Sequence, residues 1–156
     1  MNEHSFIRAV HAYLPSEVFR WKIHDTFAGG VPDAFYAGPA STLFVEYKYV
    51  KTLPKRNATP IRTGLTSQQA HWLDRLHDFN QPVALIVGCE KLALVILAKQ
   101  WNTDIAKAEY VERAVPFKTA AQWISDVCTN RLRQKDERQI RTFSSHKPAT
   151  DLEPPN

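Results

Sequence analysis

The alternation of apolar and polar residues predicts four helices and five strands. Apolar side chains at helical spacing indicate helices over residues 2–14, 66–79, 104–110 and 119–133. Short runs rich in β-branched and aromatic residues indicate strands over residues 18–23, 34–37, 42–50, 83–89 and 92–97. The run over residues 83–89 is apolar throughout, as expected for a strand buried on both faces.

The order of these elements predicts the fold class. Leaving aside the short helix over 104–110, the order is α-β-β-β-α-β-β-α, which indicates one α/β domain with a mixed central β-sheet flanked by helices. Beyond residue 133 apolar residues become sparse and prolines appear at Pro148, Pro154 and Pro155. We therefore expect the domain to span residues 1–133, with its core in 1–97 and C-terminal helices in 103–133, and residues 134–156 to form a flexible tail.

A predicted hairpin places two carboxylates side by side. With residues 38–41 as a four-residue loop, Ala37 pairs with Thr42, and counting outward puts Asp33 opposite Glu46. Directly opposed residues have Cβ atoms about 5 Å apart. Lys48 lies two residues beyond Glu46 and therefore shares its face of the strand.

Two neighbouring carboxylates repel each other unless a proton or a cation compensates the charge. Ligands that are all oxygen favour a hard divalent cation such as Mg²⁺ or Mn²⁺. The alternative is an ordinary surface hairpin with a Glu–Lys pair. The directly opposed Asp33, the preceding Gly-Gly-Val-Pro turn and the basic segment that follows favour the metal site.

Composition excludes several classes of protein. Hydrophobic residues make up 44% and charged residues 23% of the 156, which is typical of globular domains and excludes a wholly disordered or fibrous chain. No apolar run reaches the roughly 18 residues of a membrane span, so no membrane partner is expected.

The only cysteines, Cys89 and Cys128, lie in apolar surroundings, which fits a reducing cytoplasm without disulfides. The four tryptophans fall in apolar patterns and are expected in the core.

Positive charge is concentrated in one segment. Residues 46–62 hold five cations against the single acid Glu46, a net +4 that equals the net charge of the whole chain. The cations beyond Lys48 are Lys51, Lys55, Arg56 and Arg62. Such concentration is typical of a surface that binds a polyanion, although a solvated loop is the alternative.

Together these residues resemble the signature of the PD-(D/E)XK nuclease superfamily. Pro32-Asp33, a gap of twelve residues and Glu46-x-Lys48 follow in the order of that motif, and residues 65–73 are similar to its helix motif with a glutamine before an apolar pair. The closest similarity is to Holliday-junction resolvases and virus-type replication-repair (VRR-NUC) nucleases. The resemblance covers roughly residues 3–97 and implies a restriction-endonuclease-like fold.

The resemblance also implies a role for each matching residue. Asp33 and Glu46 would bind Mg²⁺ or Mn²⁺ together with the backbone carbonyl of Tyr47, and Lys48 would orient water or stabilise charge on the phosphate. Glu3 would be an additional acid from the first helix, where an acid is also favourable at a helix N-terminus.

Gln69 would be the active-site glutamine, with Gln68 as the substitute. The spacing Thr66-x-x-Gln69 is also that of a capping box, in which the glutamine bonds back to the helix start.

The function implied is a metal-dependent endonuclease that hydrolyses DNA, with the basic segment holding phosphates. A junction resolvase would act in recombination, repair or phage DNA processing, and would need a homodimer because two symmetric cuts need two sites. The alternative is a non-catalytic factor that keeps the fold and binds nucleic acid or a host protein.

Overall fold

The computed structural model describes residues 1–129, so the predicted tail over 134–156 lies outside the described residues. The helices are α1 (Glu3–His11), α2 (Ser67–Asp78), α3 (Lys107–Arg113) and α4 (Phe117–Thr129), with a 3₁₀ turn at Gln100–Asn102. The strands are β1 (Phe19–Lys22), β2 (Ala34–Ala37), β3 (Thr42–Tyr49), β4 (Val83–Cys89), β5 (Leu92–Ile96) and β6 (Val115–Pro116).

The strands form one mixed six-stranded sheet in the order β1-β2-β3-β4-β5-β6. All neighbouring pairs are antiparallel except β3 and β4, which are parallel because α2 crosses over between them. The hairpin register is confirmed from Ala37↔Thr42 to Ala34↔Val45. The prediction of a single α/β domain with a mixed sheet flanked by helices is also confirmed.

Each face of the sheet has its own hydrophobic core. Alternation along β3 directs Leu43, Val45 and Tyr47 to the face that α1 and α4 cover. The opposite face packs Leu73 of α2 against alternate residues of β4 and β5. Every residue of β4 is buried, which explains why this central strand carries no polar side chain.

Most predicted elements are present, but two expectations need correction and one strand, β6, was not predicted. The short helix starts at Lys107 rather than near residue 104, because the Ile105 carbonyl accepts a hydrogen bond from Ile61 N–H and holds that segment extended. Strand β6 has only two residues, too few for a periodic signal. Trp21 is not in the core: its strand β1 is exposed along its whole length, and Trp21 is 57% exposed.

Cys89 and Cys128 are free and buried. No helix in this described part is both long enough and apolar enough to cross a membrane. The predicted end of the last helix, residues 130–133, lies outside the described residues.

Candidate active site

The predicted site lies where β3 extends beyond its neighbour β2. The last hydrogen-bonded pair is Ala34↔Val45, so no strand within residues 1–129 covers this edge in the second half of β3. Asp33 lies immediately before β2, and its side chain takes the place of a strand at this edge: its Oδ2 accepts a hydrogen bond from Tyr47 N–H at 2.9 Å. Because the N–H and C=O of one residue in a strand point to the same edge, the Tyr47 carbonyl also faces this gap.

Glu46 is fully buried next to this gap, with a relative exposure of 0%. The Lys48 ammonium lies 2.8 Å from its Oε1, but without the alignment of a hydrogen bond. Within residues 1–129, neither Glu46 oxygen has an aligned hydrogen-bond donor. Burial, followed by repulsion from Asp33, raises the pKa of Glu46 from 4.5 to about 7 despite the attraction of Lys48. The site therefore holds a carboxylate whose charge is incompletely compensated.

Lys48 connects the two sides of the site. Its Nζ is also 3.6 Å from Oε2 of Glu3, which projects from the N-terminus of α1. Burial alone would lower the pKa of Lys48, but Glu46, Glu3 and Asp33 raise it above the ordinary value. Burial raises the pKa of Glu3, with Lys48 acting in the opposite direction. The structure thus brings four of the predicted residues to one place: Glu3, Asp33, Glu46 and Lys48.

The donors present suit a hard cation held by few protein ligands. The Glu46 and Asp33 carboxylates and the Tyr47 carbonyl supply only oxygen, the ligand type that Mg²⁺ and Mn²⁺ prefer. In the described part of the chain, no group of three or more histidine, cysteine, aspartate or glutamate side chains is placed to hold an ion. Two carboxylates and a carbonyl leave further positions for water and phosphate oxygens, the way Mg²⁺ is usually bound.

The glycine turn before Asp33 packs on the start of α2. Gly30 has a φ of +82°, and a Cβ there would come within 2.9 Å of the Gln68 backbone, so only glycine fits without displacement. Trp72 Nε1 donates to the Gly29 carbonyl at 3.0 Å and fastens the same turn. These contacts set the position from which Asp33 reaches Tyr47.

Gln69 lies in the capping box that the sequence also allowed. Its Oε1 accepts from the Thr66 N–H at 3.1 Å, while Gln69 N–H donates to Thr66 Oγ1 at 3.2 Å. The side chain is therefore engaged at the start of α2. Its role in the active site stays a prediction.

The four predicted DNA-binding cations all lie in the segment after β3 and are exposed: Lys51, Lys55, Arg56 and Arg62. The segment is fastened to the start of α3, since Lys107 N–H donates to the Thr59 carbonyl and Ala108 N–H to the Asn57 carbonyl. Beside it lies an open cavity of about 540 Å³ lined by Arg62 and by Leu85, the β4 partner of Glu46. Of the four cations, Arg62 lines this cavity.

Two features of the site were missed by the sequence analysis. Lys22 Nζ is 3.0 Å from His4 Nδ1, and its charge acts on both Glu3 and Asp33. The connection from Lys22 to Asp33 carries no register signal, so the pairing of β1 could not be derived.

The second missed feature is a buried chain of hydrogen bonds beneath the site. His11 Nε2 lies 2.6 Å from the Tyr36 hydroxyl, which is 2.7 Å from the Tyr47 hydroxyl. Burial lowers the pKa of His11 to about 4. These hydrogen bonds hold the Tyr47 side chain on the face of β3 opposite to Glu46. The sequence gives no signal for them, because aromatic residues at core positions look alike whether or not their hydroxyl groups are hydrogen-bonded.

The chain resembles known proteins in structure rather than in sequence. No family model and no curated protein matches it. Among solved structures, it is similar to Hjc, a Holliday junction resolvase from the archaeal hyperthermophile Archaeoglobus fulgidus. The match covers 76% of this chain and 99% of that one, with 13% sequence identity and a TM-score of 0.49.

Proposed function

We propose that this protein is a nuclease that hydrolyses phosphodiester bonds of DNA with the help of a divalent metal ion. The observation that carries the proposal is Glu46, a fully buried carboxylate without an aligned hydrogen-bond donor in the described chain. Asp33 and Lys48 lie next to it at an open edge of the sheet.

The alternative is a structural ion pair between Glu46 and Lys48. In such a pair, the partner stabilises the carboxylate and lowers its pKa. Here the pKa of Glu46 is raised to about 7, so the arrangement costs stability until a cation is added. A destabilised cluster of buried charges is typical of functional sites.

The residues divide the chemistry between them. A bound Mg²⁺ or Mn²⁺ would neutralise charge on the phosphate and promote ionisation of water. Asp33, Glu46 and the Tyr47 carbonyl would hold it. Because the pKa of Lys48 is raised, its ammonium stays protonated at neutral pH and can stabilise negative charge on the phosphate, rather than act as a base. Glu3 keeps Lys48 oriented from the α1 side.

The basic segment supports a nucleic-acid substrate. Its four exposed cations would contact the phosphate backbone, which gives affinity with little dependence on sequence. We further propose that the enzyme selects branched DNA as Holliday-junction resolvases do, and acts in recombination, repair or phage DNA processing. The resemblance of the Pro32–Lys48 motif supports this selectivity.

The test is cleavage of four-way junctions, flaps, nicked duplex, linear duplex, single strands and RNA in Mg²⁺, Mn²⁺ or EDTA. The Lys48→Ala variant runs alongside, with Lys118→Ala on α4 as the matched control. We expect cleavage that needs metal, is lost in Lys48→Ala and is unchanged in Lys118→Ala. Metal-independent binding without any cleavage would instead identify a non-catalytic binding factor.

A further inference from the structure

A row of aromatic side chains crosses the sheet next to the carboxylates. Trp21 of β1, Phe35 of β2 and Phe44 of β3 are successive cross-strand partners, so all three project from one face. The Phe35 and Phe44 ring centroids are 5.1 Å apart. Phe19 lies two residues before Trp21 and shares this face.

The outer half of this row is open to solvent. Phe19 is 62% and Trp21 57% exposed, while Phe35 and Phe44 are half-buried. Side chains of this size bury large areas in most proteins, and an exposed group of them marks a binding surface. The residues Phe19, Trp21, Phe35 and Phe44 are called the aromatic face below.

The aromatic face continues directly into the candidate active site. Phe44 and Glu46 are two residues apart on one face of β3, a separation of about 7 Å. Lys48 follows on the same face, and the exposed cations begin at Lys51. Along β3 the half-buried Phe44 is therefore followed by the buried Glu46 and Lys48, and then by the exposed cations.

An aromatic face with cations beyond it matches the chemistry of a single nucleic-acid strand. Unpaired bases stack on aromatic rings, and the backbone that joins them carries a phosphate at every step. Stacking needs base faces that a closed duplex keeps covered. The exposed cations from Lys51 onward complement the phosphates of such a strand, whereas they would repel the same cations on a second copy of this chain.

We propose that the aromatic face binds the unpaired bases of a single-stranded segment that adjoins the cleaved phosphodiester. The preferred substrate then carries a single-stranded segment beside the scissile bond. This inference rests on the proposed nuclease function only for where the strand is cut, because binding on the aromatic face can be measured without cleavage.

The test is binding of a labelled oligothymidylate and of a blunt duplex, in Ca²⁺ to suppress cleavage. Phe19→Ala and Trp21→Ala remove exposed side chains and should leave the melting temperature unchanged. The matched control is Tyr13→Ala, an aromatic residue that is 54% exposed and follows α1 on the opposite face.

We expect each variant to weaken binding of the single strand by about fivefold or more, the loss expected for one stacked base. Duplex affinity and the Tyr13→Ala variant should change less than twofold. Unchanged single-strand affinity would refute the inference, even if Glu46 variants abolish cleavage.

Light scattering at the protein concentrations of the binding assay shows whether the aromatic face binds a second copy of the protein instead. A wild-type dimer that becomes monomeric in Trp21→Ala would assign the aromatic face to self-association and overturn the inference. If wild type cleaves no DNA but the Phe19→Ala and Trp21→Ala variants still lose single-strand binding, the aromatic face is a binding site and the proposed nuclease function is refuted.

Discussion

Replacing Glu46 by glutamine should make the metal-free protein more stable at high pH. The folded state holds the Glu46 pKa at about 7, against 4.5 as the ordinary value. Between these values the unfolded chain has released the proton and the folded chain still binds it, so stability falls as pH rises. At about 1.4 kcal/mol per pH unit, ionised Glu46 destabilises the fold by about 3 kcal/mol above roughly pH 7.

Glutamine is neutral at every pH and removes this cost, which already includes the attraction of Lys48, so the net gain should be up to about 3 kcal/mol at about pH 8. For a chain of this length about 3 kcal/mol corresponds to roughly 6–12 °C in melting temperature. Near pH 5 Glu46 is already mostly protonated when folded, and the gain should largely disappear.

The assay is thermal or urea unfolding of wild type and Glu46→Gln in EDTA across this pH range. The difference between the two proteins is the relevant quantity, because His11, with its pKa lowered to about 4, makes stability rise with pH between about 4 and 6.5 in both. Glu112→Gln, an exposed acid on α3, is the matched control and should show no such difference. A Glu46→Gln protein that is less stable than wild type at pH 8 would refute the reasoning.

Three further predictions concern the surroundings of the site. Gly30→Ala should lower stability by about 1–3 kcal/mol in urea unfolding and slow cleavage, because φ is +82° and the added Cβ meets the backbone of α2; full activity would contradict this. Gln69→Ala should cost about 1 kcal/mol through loss of the capping box. A tenfold slower single-turnover rate at unchanged stability would instead give Gln69 its active-site role. The double variant Lys55→Ala/Arg56→Ala should weaken binding to all DNAs about equally and reduce the salt slope of binding by about one for each phosphate that is no longer neutralised. The control Lys118→Ala should change neither quantity, and an unchanged slope in the double variant would make the segment a solvated loop.

The hairpin could be predicted from sequence because a short loop fixes its register. Counting outward from residues 38–41 leads to the observed Ala34↔Val45 pair. It also places Asp33 near Glu46, but it does not show that the ladder stops there. The Asp33 carboxylate replaces a backbone acceptor for Tyr47 N–H, a detail that depends on where β2 ends.

Features that depend on long-range packing could not be predicted. The position of α3 is set by hydrogen bonds to a loop more than forty residues earlier, such as Ile61 N–H to the Ile105 carbonyl. The exposure of Trp21 follows from its place on β1, an edge strand of which all four residues are exposed. Local periodicity reports only that a residue belongs to a strand, and burial is decided by what packs on it.

We propose that Asp33, Glu46 and Lys48 form a metal-dependent site for phosphodiester cleavage. The most direct measurement is the single-turnover cleavage rate of Glu46→Gln in Mg²⁺, on the DNA that wild type cuts best and at saturating protein. We expect a variant that is folded, at least as stable as wild type at pH 8 and without detectable cleavage. Cleavage by this variant at the wild-type rate would contradict the assignment of the site.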